Sequence, residues 1–277
     1  MLSLLFGLIV GFSLGLTGGG GSIFAVPLLV YGLATPAHEA VGVSLVAVGA
    51  TALSGAIVRL RRREVELKAA LLFGSAGIIG APIGAVLGKK LPAEFLLGGF
   101  ALLMLLVAVR MWRQAIRNPA EAQIVRARDD GLDLDATSGA ACRINPSGGL
   151  NLTSRCTFVL ALSGVFTGLL SGLFGVGGGF LIVPALVLVA SLPMQRAVAT
   201  SLLIIAIISA SGSVSYLLAG RPLALTVTAL FVLGGLGGMV LGARFSRRLA
   251  GPQLQKLFAT TMVGVAIYML MQVLGVI

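Results

Sequence analysis

Histidine is almost missing from this chain: His38 stands alone among 277 residues. Cys142 and Cys156 are the only cysteines, and no His-Glu-x-x-His stretch or histidine–cysteine cluster has metal-ligand spacing. No metal centre, no cofactor and no intramembrane enzyme are therefore expected. Charge is scarce too. Charged residues make up 10% of the chain against 57% hydrophobic ones, with a mean hydropathy of +1.06. A soluble core of this size cannot hide that much apolar surface, which excludes an ordinary soluble domain. Acidic residues are rarest of all, nine against 20 basic ones, giving a net charge of +11. In a soluble protein such a charge points to a nucleic-acid partner. Here, however, the basic residues cluster between apolar spans, in Arg59-Leu60-Arg61-Arg62-Arg63 and from Arg110 to Arg128. That pattern reads as cytoplasmic loops facing anionic lipid, with the bilayer and not nucleic acid as partner. No cleavable signal peptide is expected, since the N-terminus lacks a basic n-region. The two cysteines are expected as free thiols in or beside a cytoplasmic loop.

What the chain does have is glycine, 39 residues of it, concentrated in two breaks inside apolar sequence. The first reads Gly15-Leu16-Thr17-Gly18-Gly19-Gly20-Gly21-Ser22-Ile23-Phe24-Ala25-Val26-Pro27. The second reads Gly172-Leu173-Phe174-Gly175-Val176-Gly177-Gly178-Gly179-Phe180-Leu181-Ile182-Val183-Pro184, at an offset of 157 residues (Pro184 minus Pro27). Lipid-embedded backbone cannot stay unpaired, so such stretches survive only against protein or a wet cavity. Paired breaks in corresponding positions of two halves point to a transporter's binding site. Neither run continues to Gly-Lys-Ser/Thr, which sets aside a nucleotide-binding loop.

The offset extends beyond the glycines. Gly7 matches Gly164, Gly11 matches Gly168, Pro36 matches Pro193, and Ser44-Leu45 matches Ser201-Leu202. After a one-residue slip, Gly84-Ala85 matches Gly242-Ala243 and Met104 matches Met262. This register predicts an internal duplication. Apolar stretches run from about Leu2 to Leu16, Ile23 to Leu33, Ala40 to Val58, Ala69 to Gly88 and Phe95 to Trp112. The series repeats from Phe158 to Leu173, Phe180 to Ala190, Ala197 to Ala219, Ala224 to Ala243 and Leu254 to Val276. A full span needs roughly 20 residues, so the last three of each half read as crossings. The segments flanking each break read as one interrupted helix or a re-entrant hairpin.

The expected fold is thus an all-α polytopic membrane protein of two homologous repeats. Residues 1–112 form the first transmembrane repeat, 113–156 a cytoplasmic linker, and 157–277 the second repeat. The strongest basic loop of half one, Arg59 to Lys68, has only Arg221 as its counterpart, whereas half two is strongest at Arg244, Arg247 and Arg248. A bias that moves by one loop favours inverted repeats with each glycine segment folded as a hairpin. Parallel repeats, with each glycine segment crossing once, remain the alternative.

Gly-Leu-x-Gly-x-Gly-Gly-Gly/Ser followed by Val-Pro, in two copies, resembles the TauE/SafE family of sulfite exporters and related anion permeases. So do Ala40-Val41-Gly42-Val43-Ser44-Leu45 and Ala197-Val198-Ala199-Thr200-Ser201-Leu202. The resemblance covers nearly the whole chain except the linker. It implies transport of small anions, often sulfur-containing ones such as sulfite or sulfonates, across the cell inner membrane. Copy one departs from copy two by Ser22 in place of Gly179 and Gly19 in place of Val176.

The residues give an independent physical case for an anion. A helix that starts just after a glycine loop offers unpaired N–H groups and a positive dipole end. Glycines let several N–H groups converge on one oxyanion. The expected backbone donors are Gly19, Gly20, Gly21 and Ser22 in one break and Val176, Gly177, Gly178 and Gly179 in the other. Thr17 and the Ser22 hydroxyl are expected to add hydrogen bonds, and Ser44, Thr200 and Ser201 to line the cavity or bond their own helical turns. The competing reading is that the glycines only pack helices closely. Arg59 starts a basic loop and could attract anions, but contact with lipid headgroups is expected instead, and His38 is expected to be solvated. The function this supports is a permease moving a small anion by alternating access. The alternatives are a channel-like anion pore and a scaffold that moves nothing. Glycine-rich faces would also allow a homodimer.

Overall fold

The computed structural model describes residues 1–88, 91–117, 143–144, 150–151, 153–174, 179–188, 190, 192–220, 223–246, 260, 263–268 and 270–271. The described chain is helical apart from a two-residue antiparallel pairing of Arg143–Ile144 with Leu150–Asn151. The helices are α1 (Leu2–Thr17), α2 (Gly20–Pro27), α3 (Ala37–Arg61), α4 (Leu67–Gly88), α5 (Ala93–Arg117), α6 (Ser154–Phe174), α7 (Gly179–Leu188), α8 (Met194–Leu218) and α9 (Leu225–Ser246). Residues 263–268 are also helical. Five of these, α3, α4, α6, α8 and α9, are long and apolar enough to cross a membrane.

Two helix ends lie more than one turn beyond the hydropathy reading. Helix α5 runs past Trp112 to Arg117, and α6 starts at Ser154 and reaches 21 residues, long enough to cross. In both, polar residues continue the helix as extra turns, which apolar windows do not register. Cys156, expected as a free thiol, is disulfide-bonded and buried, while Cys142 lies outside the described residues.

Glycine ends α1. Gly18 takes a left-handed conformation (φ 74°), which costs glycine no steric penalty, and donates its N–H to Leu14 at 2.7 Å. Helix α2 then runs back along α1. A β-carbon on Gly21 would strike Val10 and Leu14 of α1, and one on Gly32 would strike the ring of Phe6 near the start of α1. The break is therefore the tip of a hairpin whose two ends lie together. Pro27 sits inside α2, and a wide π-type turn over Leu28–Gly32 follows it, as expected where proline withholds an N–H.

Close packing comes from glycines spaced by four. On α1, Gly7, Gly11 and Gly15 face Phe231, Gly235 and Met239 of α9, so the two helices run parallel. On α6, Gly164, Gly168 and Gly172 face Phe73, Gly77 and Ala81 of α4, again in parallel. The nearest atoms are backbone carbonyls, as when small residues let helix backbones meet. Between these pairs, α3 and α8 cross antiparallel: Gly42 lies against Tyr216, Gly49 against Ser209 and Gly55 against Leu202. The core thus centres on α3 and α8, and the outward faces carry Leu71, Ile79, Phe158, Leu225 and similar exposed apolar side chains. Such surfaces are stable only in lipid.

Candidate functional site

The first hairpin tip is fixed by α8. Ser201 donates its hydroxyl to the Gly18 carbonyl at 2.8 Å and also lies 2.9 Å from the Val198 carbonyl of its own helix. A β-carbon on Gly18 would lie 2.7 Å from the Val198 α-carbon, so the tip is pressed against α8 backbone. A carbonyl freed by the end of α1 thereby gains a donor in a site where water is scarce. Ser201→Ala is expected to destabilise the folded protein by about 1–3 kcal/mol, because it leaves that buried carbonyl without its hydroxyl donor. Thermal unfolding in detergent measures it; an unchanged midpoint would contradict the role.

The two breaks meet at the starts of α2 and α7. A β-carbon on Gly179 would lie 3.0 Å from the Gly19 α-carbon, 3.0 Å from Ser22 Oγ and 2.7 Å from Ile205 Cδ1. Ser22 and Gly179 are the residues that correspond at the 157 offset, and they face each other. Neither helix is opposed by acid at this point: the first turn of each contains no acidic residue. Two positive dipole ends are thus brought into one buried place.

The predicted side-chain donors fare unevenly. Ser22 is fully buried and gives its proton to the Gly19 carbonyl at 2.6 Å, leaving its oxygen facing Gly179. Thr17 donates to Ser13 at 2.7 Å, one turn back in α1. Ser44 is buried and lies 3.4 Å from the Val41 carbonyl of its own helix. Thr200 accepts the backbone N–H of Glu66 at 3.0 Å, tying the α3–α4 loop to α8. The structure thus brings Gly19, Ser22, Gly179 and, through Gly18, Ser201 together. Gly20 and Gly21 open α2 beside them, with Gly21 packed on α1. Val176, Gly177 and Gly178 lie outside the described residues.

Sequence reasoning missed Val198 and Ile205, which press on the two breaks, and misread Arg59. The Arg59 side chain is packed against protein: the residue is 8% exposed. The signal was present in α3, where the buried stripe Thr51, Ala52, Gly55, Ala56 continues at helical spacing to Arg59. A cavity of about 300 Å³ lies elsewhere, between Phe24, Leu28 and Tyr31 on one side and Val265 and Tyr268 on the other. Its lining is apolar and aromatic and includes neither Gly19, Ser22 nor Gly179, so it is not the meeting place of the breaks.

Five lipid-length helices among the described residues, α6 of the second glycine break among them, define a multi-pass membrane protein. Residues 3–269 match the family described as sulfite exporter TauE/SafE, and the chain belongs to that family. A probable membrane transporter protein of Xylella fastidiosa (strain 9a5c) is 33% identical over 267 residues, covering 95% of this chain and 91% of the relative. The probable membrane transporter protein YunE of Bacillus subtilis is 33% identical over 254 residues, covering 88% and 87%. A probable membrane transporter protein of Methanocaldococcus jannaschii is 27% identical over 222 residues, covering 76% and 72%. No solved structure gives a significant match. The family and these relatives are those of a membrane transporter and not of an enzyme.

Proposed function

We propose that the protein is a secondary transporter of a small anion, a sulfur oxyanion or sulfonate such as sulfite, working by alternating access. The observation that carries the reading is the meeting of Gly19 and Ser22 with Gly179. Backbone N–H groups of two opposed helix starts can cradle an oxyanion there without a buried cation. The tips touch in this conformation, so an anion enters as they separate, and rocking of one half against the other exposes it to either side.

Inverted repeats suit this mechanism, and several contacts support them. The pairs Gly7–Phe231, Gly11–Gly235 and Gly15–Met239 correspond to Gly164–Phe73, Gly168–Gly77 and Gly172–Ala81, by 157 residues in the glycine helices and 158 in their partners. Contacts that exchange in this way are what a twofold relation between the halves produces. The return of Gly32 to Phe6 favours a re-entrant hairpin, leaving three crossings per half and opposite topology. Under this topology Lys89, Lys90 and Arg221 are the only three of 20 basic residues on one side. The remaining 17 put the Arg59–Lys68 loop and the linker in the cytoplasm of an inner-membrane protein. The disulfide at Cys156 weighs the other way, since disulfides persist in oxidising compartments, but one bond stands against 17 charges.

A channel-like pore is separated by exchange. In proteoliposomes loaded with unlabelled sulfite, external labelled sulfite is expected to enter several-fold faster than into empty ones. Equal initial rates would contradict a carrier.

A further inference from the structure

Arg59 is the only charged residue among the buried residues described. Burying a guanidinium is costly unless its donors are satisfied. This one is poorly satisfied: Nη1 reaches Glu64 Oε2 at 3.4 Å, and Nε is buried with no hydrogen-bond partner. The Glu64 side chain is 36% exposed, so the acid sits toward water while the guanidinium lies inside. The Nε edge of arginine is one side of the planar fork that receives an oxyanion through two parallel hydrogen bonds.

The surroundings connect Arg59 to the glycine breaks. One turn before it, Gly55 packs on Leu202 of α8. On the same turn of α8, Ser201 holds the Gly18 carbonyl and Thr200 holds the Glu66 N–H. The Glu64 N–H in turn bonds the Arg59 carbonyl at 3.2 Å. The loop that carries Glu64 and the tip of the first hairpin are therefore tied to adjacent residues of one helix. At the 157 offset the counterpart of Arg59 is Tyr216, 4% exposed and lying over Gly42. The two ends of the α3–α8 pair are thus unlike: a cation on one side, a phenol on the other.

We propose that Arg59 is an anion-binding residue at the basic end of the α3–α8 pair, where the solute engages the Nε edge of the guanidinium and Glu64, held at Nη1, competes with it for the same charge. This rests on the anion reading above and adds a second, side-chain station to the backbone cradle. It makes recognition unequal on the two sides, because Tyr216, and not a second arginine, stands at the corresponding place. Glu64 is then a competitor of the solute as well as a partner of Arg59.

The test is binding by purified full-length protein, read as thermal stabilisation against sodium sulfite, with sulfate, methanesulfonate and chloride as comparisons. Arg59→Gln is expected to weaken the apparent sulfite affinity at least tenfold. Arg59→Lys keeps the charge but loses the fork, and is expected to weaken it several-fold; it carries the test if the glutamine variant does not fold. Glu64→Gln is expected to tighten sulfite binding several-fold. An ion pair with a purely structural role predicts that loss of either partner lowers the unfolding midpoint without moving the affinity. Wild-type sulfite affinity in Arg59→Gln and Glu64→Gln would overturn the proposal and leave the transporter reading standing. Failure of all four anions to stabilise the wild type would overturn the anion reading, and this one with it.

Discussion

Gly238→Leu is expected to abolish the folded protein, whereas the same change one residue earlier, at Gly237, leaves it intact or more stable. A β-carbon on Gly238 would run into the Leu8 carbonyl and lie 2.6 Å from the Phe12 amide nitrogen, both backbone atoms of α1. Backbone cannot swing aside as a side chain can, so the whole α1–α9 pair would have to part. Overpacking a well-filled core costs about 1–3 kcal/mol when side chains can adjust, and here they cannot. At Gly237 nothing lies within 4 Å and the position is exposed on the outer face. Leucine there gains up to about 1 kcal/mol of helix propensity over glycine. Size-exclusion profiles and unfolding midpoints in detergent distinguish the two. A monodisperse, wild-type-like Gly238→Leu protein would contradict the parallel packing of α1 on α9.

The second large effect concerns transport. Gly179→Val is expected to reduce anion transport at least 100-fold while most of the protein still folds and inserts. The new side chain would meet Ile205 Cδ1, the flexible end of a side chain, which can turn away. It would also meet the Gly19 α-carbon and Ser22 Oγ at 3.0 Å or closer, and these belong to the opposing hairpin tip. Separating the tips moves the two sets of N–H donors apart, and valine covers the place where an oxyanion would sit. A hundredfold loss corresponds to about 2.7 kcal/mol, the scale of a lost set of charge-directed hydrogen bonds. Gly179→Ala is expected to fall between. Uptake normalised to the protein in the vesicle membrane reads the effect, and wild-type rates in Gly179→Val would remove this site from the pathway.

These two glycines also mark what the sequence made legible. Consecutive glycines at 18–21 break a helix, and glycines spaced by four at Gly7, Gly11 and Gly15 pack one, and the structure uses them in these two ways. The helices followed from lipid-length apolar runs, within a turn or two at the ends. The contacts between helices did not follow, because hydropathy in a membrane protein is nearly uniform around each helix and does not tell a lipid face from a packed one. Ser201 illustrates the point: its residue type suited a cavity lining or a bond to its own turn, and it does reach the Val198 carbonyl, but its other partner is the Gly18 carbonyl, 183 residues away. Arg59 was misread for a related reason. A run of four arginines in five residues looks like one solvated patch, and only the helical phase of α3 separates Arg59, which is buried, from Arg61, which is exposed.

The most direct test of the central claim is uptake of labelled sulfite by proteoliposomes carrying the purified protein, competed with sulfate, thiosulfate, small sulfonates and chloride. The account predicts saturable uptake that one sulfur oxyanion or sulfonate suppresses and chloride does not. Absence of uptake of any of these anions under every ion gradient would contradict it, and would leave a helical membrane protein whose glycine breaks serve packing alone.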